Sequence, residues 1–265
     1  MPSAPLSPRR VKLLTYNVRR CLGTDGTLSP ARIAAVIAQT GAEIIALQEL
    51  DVGRPRSGGV DQAEAIAAEL GMRVHFNAAL TVLEERYGDA LLTPLPSRLV
   101  KAGPLPGLAA KPHLEPRGAL WAAVDLGEAS ELQVIVTHLG LRSAERQAQA
   151  AALLGPDWLG HPDCRDPAVL LGDFNAVPGG QTFRRLAGAL ADLRRAPGIA
   201  SSPATFPSRF PLLRLDHVFA RGPVRPLSLA AVRTPLARIA SDHLPLLVEV
   251  EVDRAVARVA HPAAA

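Results

Sequence analysis

The residues with the clearest chemical potential follow an apolar segment in the second half of the chain. Residues 168–171 are apolar and predict a buried strand, and Gly172, Asp173, Phe174 and Asn175 come directly after it. Because residues two apart in a strand point to the same side, Asp173 and Asn175 are expected to face one spot. A carboxylate beside a carboxamide suits a cation and a phosphate. For this short motif alone, the alternative is a strand followed by an Asx turn.

Five other apolar segments also end in, or are interrupted by, polar residues of types that bind metals or transfer protons. A single residue of this kind at a strand end is usually a cap or part of a turn. Six such strands in one chain indicate an assembled site instead. The candidates at these five strands are Asn17, Glu49, His138, Asp216, Asp242 and His243.

In chain order, these motifs resemble those of the endonuclease/exonuclease/phosphatase superfamily, whose members have the deoxyribonuclease-I-like fold. No single motif is specific, but the ordered set is, and it extends from Leu13 to Val248. The stretches 137–147 and 56–62 resemble the small bacterial members. The matching motifs read TYN, LQE, YGxALL, THL, GDFN, LDH and SDH.

The continuous apolar strands predict sheets that are covered on both faces. Periodicity alone does not separate one doubly wound sheet from two sheets packed together. The resemblance implies the second arrangement, a four-layer α/β/β/α sandwich with two central, mostly antiparallel sheets flanked by helices. One domain is expected over residues 11–253, with flexible termini at 1–10 and 254–265. Helices are expected to begin at side chains that can cap an N-terminus, namely Ser29, Asp61 and Ser143.

The resemblance also implies a metal site. Glu49 resembles the principal metal ligand and Asp242 a second metal ligand, and Asn17 resembles an amide close to the metal or to the phosphate. For Asn17 the alternative is an asparagine in a turn. Oxygen ligands without a Cys/His cluster fit Mg²⁺ or Mn²⁺ and do not fit zinc.

The remaining candidates resemble catalytic residues of the superfamily. Asp173 resembles the residue that positions the attacking water or a metal, and Asn175 the neutral donor to a phosphate oxygen. His243 resembles the base beside the attacking water, with Asp216 holding its far nitrogen and raising its pKa towards neutrality. His138 resembles the histidine that donates to a phosphate oxygen or to the leaving group. For Asp216, the alternative is a salt bridge at the strand edge.

Two residues inside the motifs have a different interpretation. Many members of the superfamily have Asn where this chain has Asp89. We interpret Asp89 as a surface carboxylate, and the alternative is a carboxylate that pairs with His138. His217 follows Asp216 directly, so it is expected to point to the opposite face and to be structural.

The implied activity is Mg²⁺-dependent hydrolysis of a phosphate ester. The formal net charge of +4 slightly favours a nuclease acting on DNA or RNA. A phospholipid or small-molecule phosphodiesterase, similar to sphingomyelinases, is the alternative, because only 4% of the residues are aromatic and could stack on bases. A catalytically silent binding protein would require the loss of site residues, and none is missing.

The cysteines and the apolar segments of the sequence indicate the cellular compartment. Cys21 and Cys164 have neither a CxxC nor a zinc spacing, so free thiols in a reducing compartment are expected. Residues 1–10 have no apolar core of a signal peptide, and no apolar run approaches the ~18 residues of a membrane span. A cytoplasmic monomer is therefore expected.

Overall fold

A computed structural model describes residues 7–199 and 203–253. Two six-stranded sheets pack against each other, and helices cover their outer faces. The predicted four-layer α/β/β/α sandwich is therefore confirmed. Most of the two terminal segments predicted to be flexible lies outside the described residues. Arg9 and Arg10, however, pair with Val252 and Glu251 in the first sheet, so this part of the predicted flexible lead is a strand.

The first sheet contains the two ends of the described chain at its centre. Only one pair of its neighbouring strands is parallel, the pair formed by the first two strands of the chain. In spatial order the strands are β11 (Val224–Ala231), β12 (Leu246–Val252), β1 (Arg9–Asn17), β2 (Ile44–Val52), β4 (Glu85–Thr93) and β3 (Arg73–Val82). The helices on its outer face are α1 (Pro30–Ala38), α2 (Gln62–Leu70) and α5 (Pro235–Ala240).

The second sheet is built mainly from the middle of the chain and also has one parallel pair. In spatial order its strands are β5 (Ser97–Pro104), β6 (Gly118–Asp125), β7 (Glu131–His138), β8 (Ala168–Asp173), β10 (Asp216–Arg221) and β9 (Ala191–Asp192). Its outer face is covered by α3 (Ser143–Leu154) and α4 (Gln181–Ala189).

Aliphatic side chains from both sheets form one core between them. Leu13 and Ile44 of the first sheet meet Leu120 and Val136 of the second, and all four are fully buried. Each such side chain contributes about 1.5–3 kcal/mol when it leaves water. This contact fixes the two sheets relative to each other, and therefore fixes the polar residues at their strand ends.

The two parallel pairs matter for the site. Parallel neighbours run towards the same edge of a sheet. The pairing of β1 with β2 ends at Asn17 and Gln48, directly before Glu49, although β2 itself continues to Val52, and the pairing of β7 with β8 ends at His138 and Asp173. Asp216, at the start of β10, pairs in register with Asp173. Both sheets thus deliver polar residues to one end of the sandwich.

Two of the three predicted helix caps are present. Ser29 Oγ accepts from Arg32 N at 3.1 Å, and Asp61 Oδ1 accepts from Glu64 N at 3.0 Å. The predicted Ser143 cap is wrong, because Ser143 is the first residue of α3 and the preceding residue makes no side-chain cap. The short helix α5 was not predicted.

Both cysteines are free and buried, and no helix of the described chain has the length and apolar character needed to span a membrane.

Candidate active site

A cavity of about 460 Å³ lies where the parallel pairs end. The structure brings seven of the eight predicted site residues together around it. The eighth, Asp216, does not line the cavity. It is fully buried and contacts the Nδ1 atom of His243. The seven lining residues are Asn17, Glu49, His138, Asp173, Asn175, Asp242 and His243.

Asn17 joins the two sheets at the site. Its Nδ2 donates to Glu49 Oε1 at 2.9 Å and to Asp173 Oδ2 at 3.0 Å. Its Oδ1 accepts from Arg19 N at 3.1 Å, which fixes the orientation of the amide. One buried amide therefore sets the spacing between a carboxylate of the first sheet and a carboxylate of the second.

Glu49 has an unusual backbone conformation. Its φ is 64°, in the left-handed region that few residues other than glycine adopt. The pairing of β2 with β4 shifts register between Leu47 and Leu50, so Glu49 lies in a bulge. Bulges of this kind re-aim a side chain, and here the side chain is directed into the cavity.

The oxygen atoms around Glu49 fit a hard divalent cation. Burial raises the pKa of Glu49, the hydrogen bond from Asn17 opposes this, and the charges of Asp173 and Asp242 raise the pKa further. The carboxylates therefore repel one another, and a cation bound among them would remove this repulsion. Carboxylate and amide oxygens are the ligands that Mg²⁺ and Mn²⁺ prefer. The residues present thus fit the predicted metal site.

A second group of possible ligands is held by contacts among its own members. Ligand atoms of Asp173, Asp216 and His243 lie within 4.8 Å of one another. However, His243 Nδ1 lies 2.9 Å from Asp216 Oδ2, and a carboxylate can only accept, so this nitrogen carries a proton. Asp216 and His243 are therefore joined by a hydrogen bond, and His243 Nε2 forms a longer ion-pair contact of 3.6 Å with Asp173 Oδ2.

His243 lies between two carboxylates. Its Nδ1 donates to Asp216 at 2.9 Å, and its Nε2 lies 3.6 Å from Asp173 Oδ2. Burial lowers the pKa of His243, but Asp216 and Asp173 outweigh burial and raise this pKa to about 10. The ring is therefore protonated on both nitrogens at neutral pH. The sequence predicted a smaller shift, because it considered only the Asp216 carboxylate.

His138 has the opposite environment. Its Nδ1 lies 2.9 Å from a guanidinium nitrogen of Arg117, and a guanidinium can only donate. The one proton of the neutral ring is therefore on Nε2, which lies 3.6 Å from Asp173 Oδ2. Burial lowers the pKa of His138 well below its usual value, and the charges of Arg117 and His243 lower it further. His138 is a neutral N–H donor at the cavity.

Asp89 is neither on the surface nor paired with His138. It is 2% exposed, and the position beside His138 Nδ1 is occupied by Arg117. Both interpretations of Asp89 from the sequence are therefore wrong. Burial raises the pKa of Asp89 to about 8; Arg117 opposes this rise, and Glu49 adds to it. Its carboxyl group is therefore mostly protonated at neutral pH.

Asn175 is held close to His138. One hydrogen of its Nδ2 is donated to the carbonyl oxygen of Leu139 at 2.9 Å, and the same nitrogen lies 3.1 Å from His138 Nε2. Its backbone N donates to Asp173 Oδ1 at 2.9 Å. The second hydrogen of the amide remains available to a substrate oxygen.

His217 is structural, as predicted. It is fully buried and lies on the outer side of the second sheet, where its ring contacts Phe174, Phe183 and Phe219. Its Nε2 lies 2.7 Å from the carbonyl oxygen of Ala176. It faces away from the cavity because it neighbours Asp216 on a strand.

Five further polar residues line the cavity, and sequence reasoning gave them no role. Arg56 illustrates how they are held, with two hydrogen bonds to Asp51 and its guanidinium 5.4 Å from the ring centre of Tyr87. The signal that could have found two of them is the Glu-Pro-Arg sequence at residues 115–117, directly before β6. The five residues are Arg20, Arg56, Tyr87, Glu115 and Arg117.

Known proteins resemble this chain in sequence or in fold. YbhP of Escherichia coli K12 is 36% identical over 146 residues, which cover 52% of this chain and 54% of YbhP. The chain thus matches about half the length of this curated relative.

Two solved structures share the fold. An endonuclease/exonuclease/phosphatase from Beutenbergia cavernae is 22% identical, with a TM-score of 0.73 over 92% of this chain and 72% of that one. The mannosyl-6-phosphatase Bt3783 of Bacteroides thetaiotaomicron is 19% identical, with a TM-score of 0.70 over 91% of this chain and 99% of that one. The profile of the Endonuclease/Exonuclease/phosphatase family matches residues 14–243. The chain belongs to this family, whose members hydrolyse phosphoester bonds.

Proposed function

We propose that this protein is a Mg²⁺-dependent phosphodiesterase, with Mn²⁺ as a possible substitute. One observation carries the proposal: a set of oxygen ligands and two histidines in opposite protonation states meet at a single cavity. Phosphodiester hydrolysis needs neutralised phosphate oxygens, an activated water and a proton for the leaving oxygen. The cavity offers residues for the first two of these tasks.

Glu49 would hold the cation, with Asn17 and Asp242 beside it. When bound, a divalent cation supplies positive charge to the phosphate oxygens and lowers the pKa of coordinated water. A third of the Asp242 side chain is exposed, so its carboxylate can reach a cation in the cavity. Arg19 Nε lies 3.5 Å from its Oδ2.

Proton transfer and hydrogen bonding to the phosphate would fall to the two histidines and Asp173. His138 donates a hydrogen bond from Nε2–H to a phosphate oxygen or to the leaving oxygen and keeps this proton, because its ring is neutral; the leaving oxygen takes its proton from water, and Asn175 contributes its free amide hydrogen. Asp173 and His243 Nε2, 3.6 Å apart, form the pair that orients the attacking water. Because His243 already carries a proton on both nitrogens, the carboxylate of Asp173 receives the proton of the water. Asp216 holds the far nitrogen of His243 throughout.

The cavity residues act on the phosphate and do not select the group attached to it. The net charge of +4 supports a nucleic acid, as the sequence predicted. The exposed apolar side chains of Phe210 and Leu212, close in sequence to Phe206 of the cavity lining, support a phospholipid instead. Because Bt3783 is a mannosyl-6-phosphatase, phosphomonoesters also belong among the substrates to be tested. A cytoplasmic monomer remains the prediction.

A substrate panel with and without Mg²⁺ or Mn²⁺ tests the proposal. It contains bis-nitrophenyl phosphate, plasmid DNA, RNA, sphingomyelin, cardiolipin and a sugar phosphate. Glu49→Gln should lose most of the metal-dependent turnover, because it removes a charged ligand. The matched control is Glu69→Gln, an exposed glutamate on α2. Equal turnover by Glu49→Gln and the parent at every Mg²⁺ concentration would exclude the ligand role.

A further inference from the structure

A short hairpin borders the cavity. Phe206 and Leu213 exchange backbone hydrogen bonds of 2.8 and 3.1 Å, and the chain turns between them. Phe206 and Leu215 also line the cavity. We call residues 209–214, which form the end of this hairpin and the start of its return, the apolar tip.

Three large apolar side chains of the apolar tip are exposed. Phe210 is 77% exposed, Leu212 78% and Leu213 42%. Single exposed apolar residues are normal on a protein surface, but a contiguous group of them marks an interaction site. Leu141, 71% exposed, adds a further apolar residue at the cavity lining.

The base of the hairpin is tied to the catalytic residues. The Phe206 ring lies 4.8 Å from the His243 ring, and Thr205 Oγ1 donates to Asp216 Oδ2 at 2.5 Å. The Ser208 backbone N donates to the carbonyl oxygen of Asp242 at 2.7 Å. These contacts fix the apolar tip relative to the cavity, so whatever binds the tip is also placed at the reacting groups.

Both charged residues of the apolar tip are arginines. Arg209 and Arg214 flank the three apolar side chains, and residues 199–215 contain no Asp or Glu. Arg209 bonds to Thr24, whereas the exposed Arg214 side chain has no hydrogen bond or ion pair within the described residues. Apolar side chains between arginines match an anionic lipid surface, in which acyl chains lie beneath phosphate groups.

We propose that the apolar tip docks onto an anionic phospholipid surface and thereby presents the cavity to phosphodiester headgroups. This inference rests on the proposed phosphodiesterase function and narrows its substrate class. A nucleic acid is a poorer match for the tip, because Leu212 and Leu213 cannot stack on bases and only Phe210 can. In a bilayer interface, all three side chains leave water.

Vesicle binding tests the docking directly. The full chain is mixed with phosphatidylglycerol/phosphatidylethanolamine vesicles or phosphatidylcholine vesicles and floated through a density gradient. We expect binding to the anionic vesicles that weakens as salt is raised. The double variant Phe210→Ser/Leu212→Ser should bind at least about tenfold more weakly, since it removes two inserting side chains. Arg214→Ser should weaken binding about fivefold.

Two matched controls separate the tip from the rest of the surface. Leu99→Ser removes another exposed leucine, on the edge strand β5, and Arg73→Ser removes another exposed arginine, at the start of β3. Neither should change vesicle binding. Because the altered tip residues are exposed, the double variant should retain the thermal unfolding temperature of the parent, which is measured alongside.

Turnover of soluble bis-nitrophenyl phosphate distinguishes this inference from the proposed function. The double variant should match the parent on this substrate and lose turnover of phosphatidylglycerol vesicles. Parent protein that hydrolyses the soluble substrate but does not bind vesicles would overturn the docking alone. Vesicle binding without any turnover would overturn the proposed function. Loss of DNA or RNA binding by the double variant, with vesicle binding unaffected, would assign the tip to nucleic acid and overturn the proposal.

Discussion

The two histidines at the cavity show how partners decide the chemistry of the same side chain. His243 Nδ1 donates to the carboxylate of Asp216, and the pKa of His243 rises to about 10. His138 Nδ1 accepts from the guanidinium of Arg117, and the pKa of His138 falls well below its usual value. Both rings are buried, so the difference comes from the charge of the partner.

This difference makes the two rings complementary. The neutral His138 can donate from Nε2 without carrying a charge into a buried site, and the charged His243 is balanced by Asp216 and Asp173. The sequence motifs alone do not show this difference in protonation. Both THL, with His138, and SDH, with His243, place a histidine at a strand end. The comparison predicts different outcomes when each partner is removed.

Removing the partner of His243 should have the largest effect. Asp216→Asn replaces the acceptor that holds Nδ1–H, so the ring loses both its orientation and its stabilised charge. We expect kcat on bis-nitrophenyl phosphate to fall by about 10²–10⁴, the range for a positioned acid or base. Steady-state kinetics beside circular dichroism measure this. Turnover close to that of the parent would show that the Asp216 contact is structural only.

Removing the partner of His138 should have a smaller effect. Arg117→Met takes away the donor to Nδ1, so either ring nitrogen can then carry the proton. We expect kcat to fall about 10²-fold through loss of positioning. The pKa of His138 should also rise towards its usual value, because the nearby positive charge is gone.

Nitrogen-15 spectra of labelled histidines separate this effect from a general loss of structure. In the parent, His138 should show a fixed Nε2–H form from pH 6 to 8. Glu115→Gln is the matched control, because it removes the other partner of Arg117 and leaves the contact with His138 intact. If Arg117→Met left the spectrum of His138 unchanged, the assigned proton position would be wrong.

Asp89→Asn should have the smallest effect on catalysis and a clear effect on stability. The folded pKa of Asp89, about 8, is above the unfolded value of 3.8, so only the folded state holds this proton between the two values. The parent therefore loses stability as pH rises from about 4 to 8. The variant has no such proton and should be more stable than the parent at pH 7, by the order of a few kcal/mol, and not at pH 4.

Urea unfolding at pH 4 and pH 7, in the presence of a chelator, measures this difference. The alkaline side of the pH–rate profile should be unchanged in Asp89→Asn, since Asp89 does not contact His138. A stability gain of the same size at both pH values would contradict the raised pKa. A displaced alkaline side would restore a functional link between Asp89 and His138.

The parts of the site that could be predicted from sequence are those encoded within single segments. Residues 168–171 are apolar, and the polar residues that follow indicate the end of a strand. Asp173 and Asn175 could therefore be predicted to lie at that strand end. The same reasoning placed Glu49. Their convergence on one cavity followed from the resemblance, because contacts between the two sheets have no signature in any one segment.

The contact between Arg117 and His138 could not be predicted because it depends on register. Ala119 of β6 pairs with Thr137 of β7 in an antiparallel register, so Arg117, two residues before Ala119, lies beside His138, which follows Thr137. The burial of Asp89 was predictable in principle. Asp89 and Leu91 are two apart in β4, so they share a face, and Leu91 lies in the core between the sheets.

The left-handed backbone of Glu49 has a consequence for selection. A non-glycine residue at φ 64° costs the folded state about 1–2 kcal/mol relative to an ordinary strand conformation. Glu49→Gly would relieve this cost and abolish the carboxylate, so a screen for thermal stability alone would enrich protein that lacks the proposed metal ligand. A glutamate at a position that suits glycine thus lowers the stability of the folded state and supplies a carboxylate to the cavity.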